Sequence, residues 1–162
     1  MKLLCDAMLA RLGRWLRAAG YDTVIAEGAH SDRALLERAR REDRLLLTRD
    51  RKLLEFKGAA ARVVLLPGND LETAVEATTA RLAIDWLHRP FSRCLVCNRP
   101  LEPASATVRD RLPPAMRATT TDIRHCHGCD RLYWPGGHVR RMRARLESWA
   151  GGPGPELRSP DS

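Results

Sequence analysis

No stretch of the 162 residues approaches the roughly 18 consecutive apolar residues of a membrane span. Nor does the chain open on the core of an export signal, because Met1-Lys2-Leu3-Leu4-Cys5 meets Asp6 too early. The sequence therefore predicts a cytoplasmic chain with no membrane partner, in a compartment where cysteines stay reduced. Aromatics are few, with four Trp, two Tyr and two Phe, and lysine is scarcer still, three residues against 25 arginines. What is abundant excludes disorder as the global state: 44% of the residues are hydrophobic and 30% charged. That length suffices for one ordinary domain, or a compact domain with a small appendage, with a core that needs no staples.

Acidic residues are in the minority. The net charge is +8, with +3 in residues 1–90 and +5 in the shorter remainder. Such a surplus favours polyanionic partners, since binding phosphates releases counterions. An arginine bias of this kind also arises from GC-rich coding alone. Over residues 1–90, short β-like runs (Lys2–Cys5, Thr23–Ala26, Arg44–Thr48, Arg62–Leu66) alternate with helical patterns (Met8–Ala19, Asp32–Glu42, a short Asp50–Phe56, and a longer one through Leu71, Val75, Thr78, Leu82 and Trp86). This alternation predicts an α/β domain with a mainly parallel sheet covered on both faces. Pro90 ends it. Residues 91–149 are read as a second unit closed by a basic helix, His138–Trp149, carrying Arg140, Arg141, Arg143 and Arg145, and 150–162 as a disordered Gly/Pro/Ser-rich tail.

Two C-x2-C pairs, Cys94/Cys97 and Cys126/Cys129, stand 28 residues apart. Each such turn offers two thiolates, and four complete a tetrahedral zinc shell with no position left for water, which makes the metal structural. Disulfides or redox pairs are the alternative, disfavoured by the compartment. Asn98 and Gly128 suit knuckle positions that call for positive φ. His125 and His127 flank Cys126 but are not needed as ligands, and Cys5 reads as a small core residue.

Asp6 and Asp50 fall at the ends of the first and third strands, where open α/β sheets bind their ligands. Carboxylates converging there call for a cation, and Mg²⁺ or Mn²⁺ suits oxygen donors. Both also precede helical patterns, so helix capping stands beside that reading. Asp32 and Asp70 open helices and read first as caps, while Asp22 reads as a turn former. On the first helix Arg11, Arg14 and Arg17 lie opposite an apolar arc, either a solvated face or a grip on a phosphate backbone.

Taken in order, the run Asp6 to Arg17, Gly20-Tyr21-Asp22-Thr23, Leu47-Thr48-Arg49-Asp50, Ser92 to Asn98, and Cys129 through Tyr133-Trp134 to His138 resemble the Mut-seven C-terminal RNase domain family. The resemblance spans roughly Lys2 to Leu146. It implies a PIN-like three-layer nuclease domain over 1–90, followed by a zinc ribbon with a terminal helix. It further implies RNA cleavage by divalent metal held on Asp6 and Asp50 with Asp32 as the third acid. Arg11, Arg14, Arg17, Arg49 and His138 would then contact RNA. The ribbon and the Arg140–Arg145 helix would extend that surface, with Tyr133 or Trp134 stacking on a base or packing around the knuckle. A non-catalytic RNA-binding or adaptor protein built on a degenerate PIN-like domain is the alternative. A DNA-binding ribbon protein is a third reading.

Overall fold

The computed structural model describes residues 1–28 and 30–151. Four parallel strands, β1 (Lys2–Cys5), β2 (Asp22–Ile25), β3 (Leu45–Thr48) and β4 (Val63–Leu65), form one sheet in the order β2-β1-β3-β4. Helices α1 (Ala10–Ala19), α2 (Asp32–Arg41) and α3 (Leu71–Leu82) connect or follow them. The β1 and β3 side chains are almost entirely buried, as strands covered on both faces require. Leu3, Leu12, Leu16 and Leu47 pack on one side with α1 and α3, and Leu4, Leu35, Leu36 and Leu46 on the other with α2. Gly13 lets α1 lie close to the sheet, because a Cβ there would come within 2.6 Å of Ile25.

Beyond residue 90 come β5 (Glu102–Pro103), α4 (Ala106–Arg109), α5 (Pro114–Thr119), β6 (Arg124–Cys126), β7 (Arg131–Tyr133) and α6 (Gly137–Ala150). Strands β5, β6 and β7 make a small antiparallel sheet, the body of the C-terminal ribbon. Helix α6 returns to the first unit: Leu146 is buried in the same cluster as Leu3, and the Trp149 ring stands edge-on to Trp15 at 4.8 Å. Glu72, in the first turn of α3, accepts hydrogen bonds from Arg145 and from the Trp149 indole. Among the described residues no helix is long and apolar enough to cross a membrane.

Three helical expectations change in detail. The Leu71-to-Trp86 pattern is helical only to Leu82, because Ala83 takes a left-handed φ of 49° and turns the chain. Trp86 still enters the core, its indole donating to Thr79 Oγ1 at 2.8 Å, so the i, i+4 spacing came from burial rather than from one continuous helix. The first two residues of the Met8–Ala19 pattern fall in a 3-10 turn, Ala7–Leu9, and the Asp50–Phe56 pattern is a 3-10 turn over Arg51–Glu55. At the other end of the chain Ala150 is the last residue of α6, and the rest of the expected tail, from 152, lies outside the described residues.

Candidate active site and cysteine centre

The strand order reverses between β1 and β3, since the chain leaves β1 for one side of the sheet and returns to the other. Connections diverge at such a point and leave a crevice beyond the strand ends. Asp6 follows β1 there, and Thr48 ends β3. The Asp6 N–H donates to the Leu47 carbonyl at 3.0 Å, which anchors the Asp6 backbone to β3 at that strand end. The Thr48 hydroxyl donates to Asp6 Oδ2 at 2.9 Å and accepts from the Asp50 N–H at 3.0 Å. Thr48 thus links the Asp6 carboxylate to the backbone of Asp50. The Thr that ends the apolar run just before Asp50 is the sequence signal for this role.

Capping accounts for some of these acids and not others. Asp50 Oδ1 accepts from the Lys52 N–H at 2.9 Å, and Asp70 spends both oxygens on Thr73. Asp6 makes no side-chain cap bond. Nor does Asp32, because Ser31 Oγ takes the Ala34 N–H as the cap of α2. Asp22 is committed elsewhere. Burial disfavours its charge, but hydrogen bonds from Arg44 (2.8 Å) and Asn98 (2.7 Å) outweigh that, and its pKa lies below the ordinary carboxylate value. In a chain crowded with arginine, none of Asp6, Asp32 and Asp50 joins an ion pair among the described residues. One oxygen of Asp6 and one of Asp50 therefore remain available to a hard cation. The three do not meet as a cluster, however. Among the described residues the four cysteines are the one group of three or more metal-ligating side chains close enough to share an ion.

The arginines sort sharply. Arg11 and Arg14 are exposed on α1. Arg11 and Arg49 line a cavity of about 270 Å³ with Asn69 and Asp70, and Arg49 also borders a second one with Arg51 and Arg81. The Arg49 Nε is buried without a hydrogen-bond partner, an arrangement that costs about 1–3 kcal/mol unless an acceptor arrives. Arg17 does not belong with them. It is only 6% exposed, and its Nε donates to the Thr23 carbonyl (2.7 Å) while Nη1 donates to those of Leu95 (3.0 Å) and Val96 (2.7 Å). At 100° per residue the Arg11-Arg14-Arg17 series drifts around the helix, and by Arg17 it has turned inward. The guanidinium is a clamp between the sheet and the first knuckle, so it is unavailable to RNA. Arg17→Met should leave three carbonyls without their donor and destabilise the fold by about 3 kcal/mol, read from urea or thermal unfolding. An unfolding midpoint equal to the parent's would contradict the clamp.

The four cysteine sulfurs lie within 4.8 Å of one another, with Cys94–Cys129 at 3.4 Å and Cys97–Cys126 at 3.3 Å. Those spacings exceed an S–S bond by far and suit a tetrahedral ion, whose ~2.3 Å bonds set neighbouring sulfurs roughly 3.8 Å apart. The donor set is compatible with a structural zinc site. Burial opposes ionisation of Cys94, but the Tyr133 hydroxyl (3.1 Å) and backbone N–H groups draw its pKa down to about 6. Burial and the neighbouring thiols push Cys129 up to about 12. With all four ionised, so small a space would require a cation among them, and a bound dication would leave two negative charges near Arg17. Burial likewise takes the Cys5 thiol up to about 12, as befits an inert core residue. Asn98 has the expected left-handed φ of 69°, but Gly128 does not need one. The matching residue of the second knuckle is Asp130, at φ 54°, while at Gly128 the Arg99 side chain lies where a Cβ would stand, 2.4 Å from its Cδ, and would have to move for any larger residue.

His138 is exposed in the first turn of α6 and lines no cavity with Asp6, Asp50, Arg11 or Arg49. A family model described as Mut7-C RNAse domain matches residues 1–146. No curated protein and no solved structure gives a match.

Proposed function

The chain belongs to the Mut7-C RNAse domain family, and from that premise we propose that it is a metal-dependent ribonuclease with its reacting centre at the β1–β3 crevice. The observation that carries this reading is that Asp6 and Asp50 flank Thr48, whose hydroxyl holds the Asp6 carboxylate and the Asp50 backbone N–H, and that neither acid has an arginine partner among the described residues. Mg²⁺ is commonly held by one or two carboxylates plus substrate phosphates, so a site without a three-acid cage still fits such an ion. Asp6 and Asp50 would hold Mg²⁺ or Mn²⁺, with Asp32 at the same rim of the sheet as the third candidate. When bound, the metal supplies an activated water and charge stabilisation at the phosphate. Thr48 orients Asp6. Arg49, with an N–H lacking a protein acceptor, and exposed Arg11 and Arg14 would grip the RNA backbone.

Among the described residues no three acids cluster, which favours the rival reading, an RNA-binding protein without catalysis. A titration of Mg²⁺ or Mn²⁺ over end-labelled single-stranded RNA separates the two. Product should appear with the divalent ion and vanish under EDTA mild enough to leave zinc in place. RNA that is bound but never cut at any metal concentration would select the rival.

A further inference from the structure

The crevice leaves the other end of the molecule without a role. Between the ribbon and α6 lies an open cleft of about 240 Å³, bordered by Phe91, Trp134, Arg124, Arg140, Arg143 and Asp122. Its volume is below the roughly 300–1,000 Å³ of pockets that enclose whole small ligands. Aromatic and cationic groups alternate around it. The Arg143 guanidinium lies 5.4 Å from the Phe91 ring centre, and Arg140 donates to the Pro135 carbonyl at 3.3 Å. Asp122 is the only acid at its border and is paired with Arg124 at 3.2 Å. Arg140 and Arg143 are exposed and have no acidic partner among the described residues. Tyr133 also borders the cleft, but its hydroxyl is committed to Cys94 and the Leu95 N–H.

Resting on the ribonuclease reading, we propose that this cleft seats an unpaired nucleotide of single-stranded RNA, its base against Trp134 and its flanking phosphates on Arg140 and Arg143. Stacking platforms beside guanidinium groups bind unpaired strands with little regard to sequence, and a base still in a duplex offers no free face. Three guanidinium groups against one carboxylate give the cleft the charge such a strand requires.

Its place in the fold adds a length requirement. Phe91 and Arg89 donate their N–H groups to Ala18 and Ala19, the last residues of α1, whereas Asp6 lies just before that helix. Ten helical residues rise about 15 Å, so one strand reaching both places must be longer than a dinucleotide. Helix α6 runs along part of the interval, with Arg143 at its middle near Phe91 and Trp149 in its last turn bonded to Glu72 at the start of α3.

Tryptophan fluorescence tests this on the whole, zinc-loaded chain. Trp15, Trp86 and Trp149 form one cluster, with centroids 4.8 and 5.0 Å apart, so Trp134 is the separate reporter. Oligouridylate added without Mg²⁺ or Mn²⁺ should quench the parent and the Asp6→Asn variant alike, and Trp134→Phe should abolish the quench. Arg140→Glu with Arg143→Glu, both at exposed positions, should weaken binding about tenfold or more, as loss of about 1.4 kcal/mol predicts. Parental affinity in that double variant, a quench that persists in Trp134→Phe, or equally tight binding of a polyglutamate peptide would each overturn the proposal. Because no divalent ion is present, a failure to cleave RNA leaves these readouts intact. Lost quenching beside normal cleavage removes the cleft alone.

Discussion

Asp6→Asn and Asp50→Asn should each slow Mn²⁺-dependent RNA cleavage by about a hundredfold or more, with little change in thermal stability. The substitution isolates charge from structure. An asparagine at position 6 still offers an oxygen to the Thr48 hydroxyl, and one at position 50 still accepts from the Lys52 N–H. What disappears is the negative charge that would hold the ion. Residues acting on one centre are strongly non-additive, so the double variant should be scarcely slower than the worse single one. Asp32→Asn makes a useful comparison, since Asp32 carries no cap bond and no ion pair that a structural defect could be blamed on. Initial rates over a Mn²⁺ titration, beside melting curves, measure all four. Cleavage by the double variant at the parental rate would remove the crevice from the mechanism.

Zinc withdrawal should have the larger effect on stability. The purified chain is expected to carry a single zinc, measured by atomic absorption, and to lose it only to a strong chelator. With the metal gone, four thiols in reach of one another lose their shared counter-charge, and the ribbon sheet, of only two- and three-residue strands, is left to the Arg17 clamp and the small apolar cluster of Ala104, Leu112 and Ile123. Structural zinc sites contribute on the order of 10 kcal/mol in small metal-dependent folds, far beyond any single side chain here. Thiol reagents should then modify four cysteines, while Cys5, wholly buried, reacts only on global unfolding. Cys126→Ser, in a buried ligand, should reproduce the loss. A chain that is metal-free as purified yet keeps its near-ultraviolet circular dichroism would contradict this account.

Much of this was legible before any coordinates. Four apolar runs alternating with helical patterns became four parallel strands because buried parallel strands have so plain a signature. Cysteine spacing carried the second centre because two C-x2-C turns bring four sulfurs within reach of one ion. Where the sequence misled, a local pattern served a non-local purpose. Arg17 reads as one of three basic residues on a face, yet its partners are carbonyls 78 and 79 positions away. Trp86 keeps helical spacing beyond the end of its helix, and Asp32 reads as a cap although Ser31 performs that task. The Arg140–Arg145 helix and Trp134 were legible as an RNA surface, but not that Phe91 and Arg124 join them, since these come together only when α6 folds back on the first unit.

Asn98 gives the ribbon a protective duty. Strand β2 is the outermost strand on its side of the sheet, and the Asn98 amide oxygen takes the Thr23 N–H at 3.0 Å while Arg17 takes the Thr23 carbonyl. The first knuckle is thus a stopper on an open sheet margin, the kind of margin that recruits strands from other chains when left bare. A zinc-starved population would therefore be sticky as well as loosened, drawn toward self-association through β2.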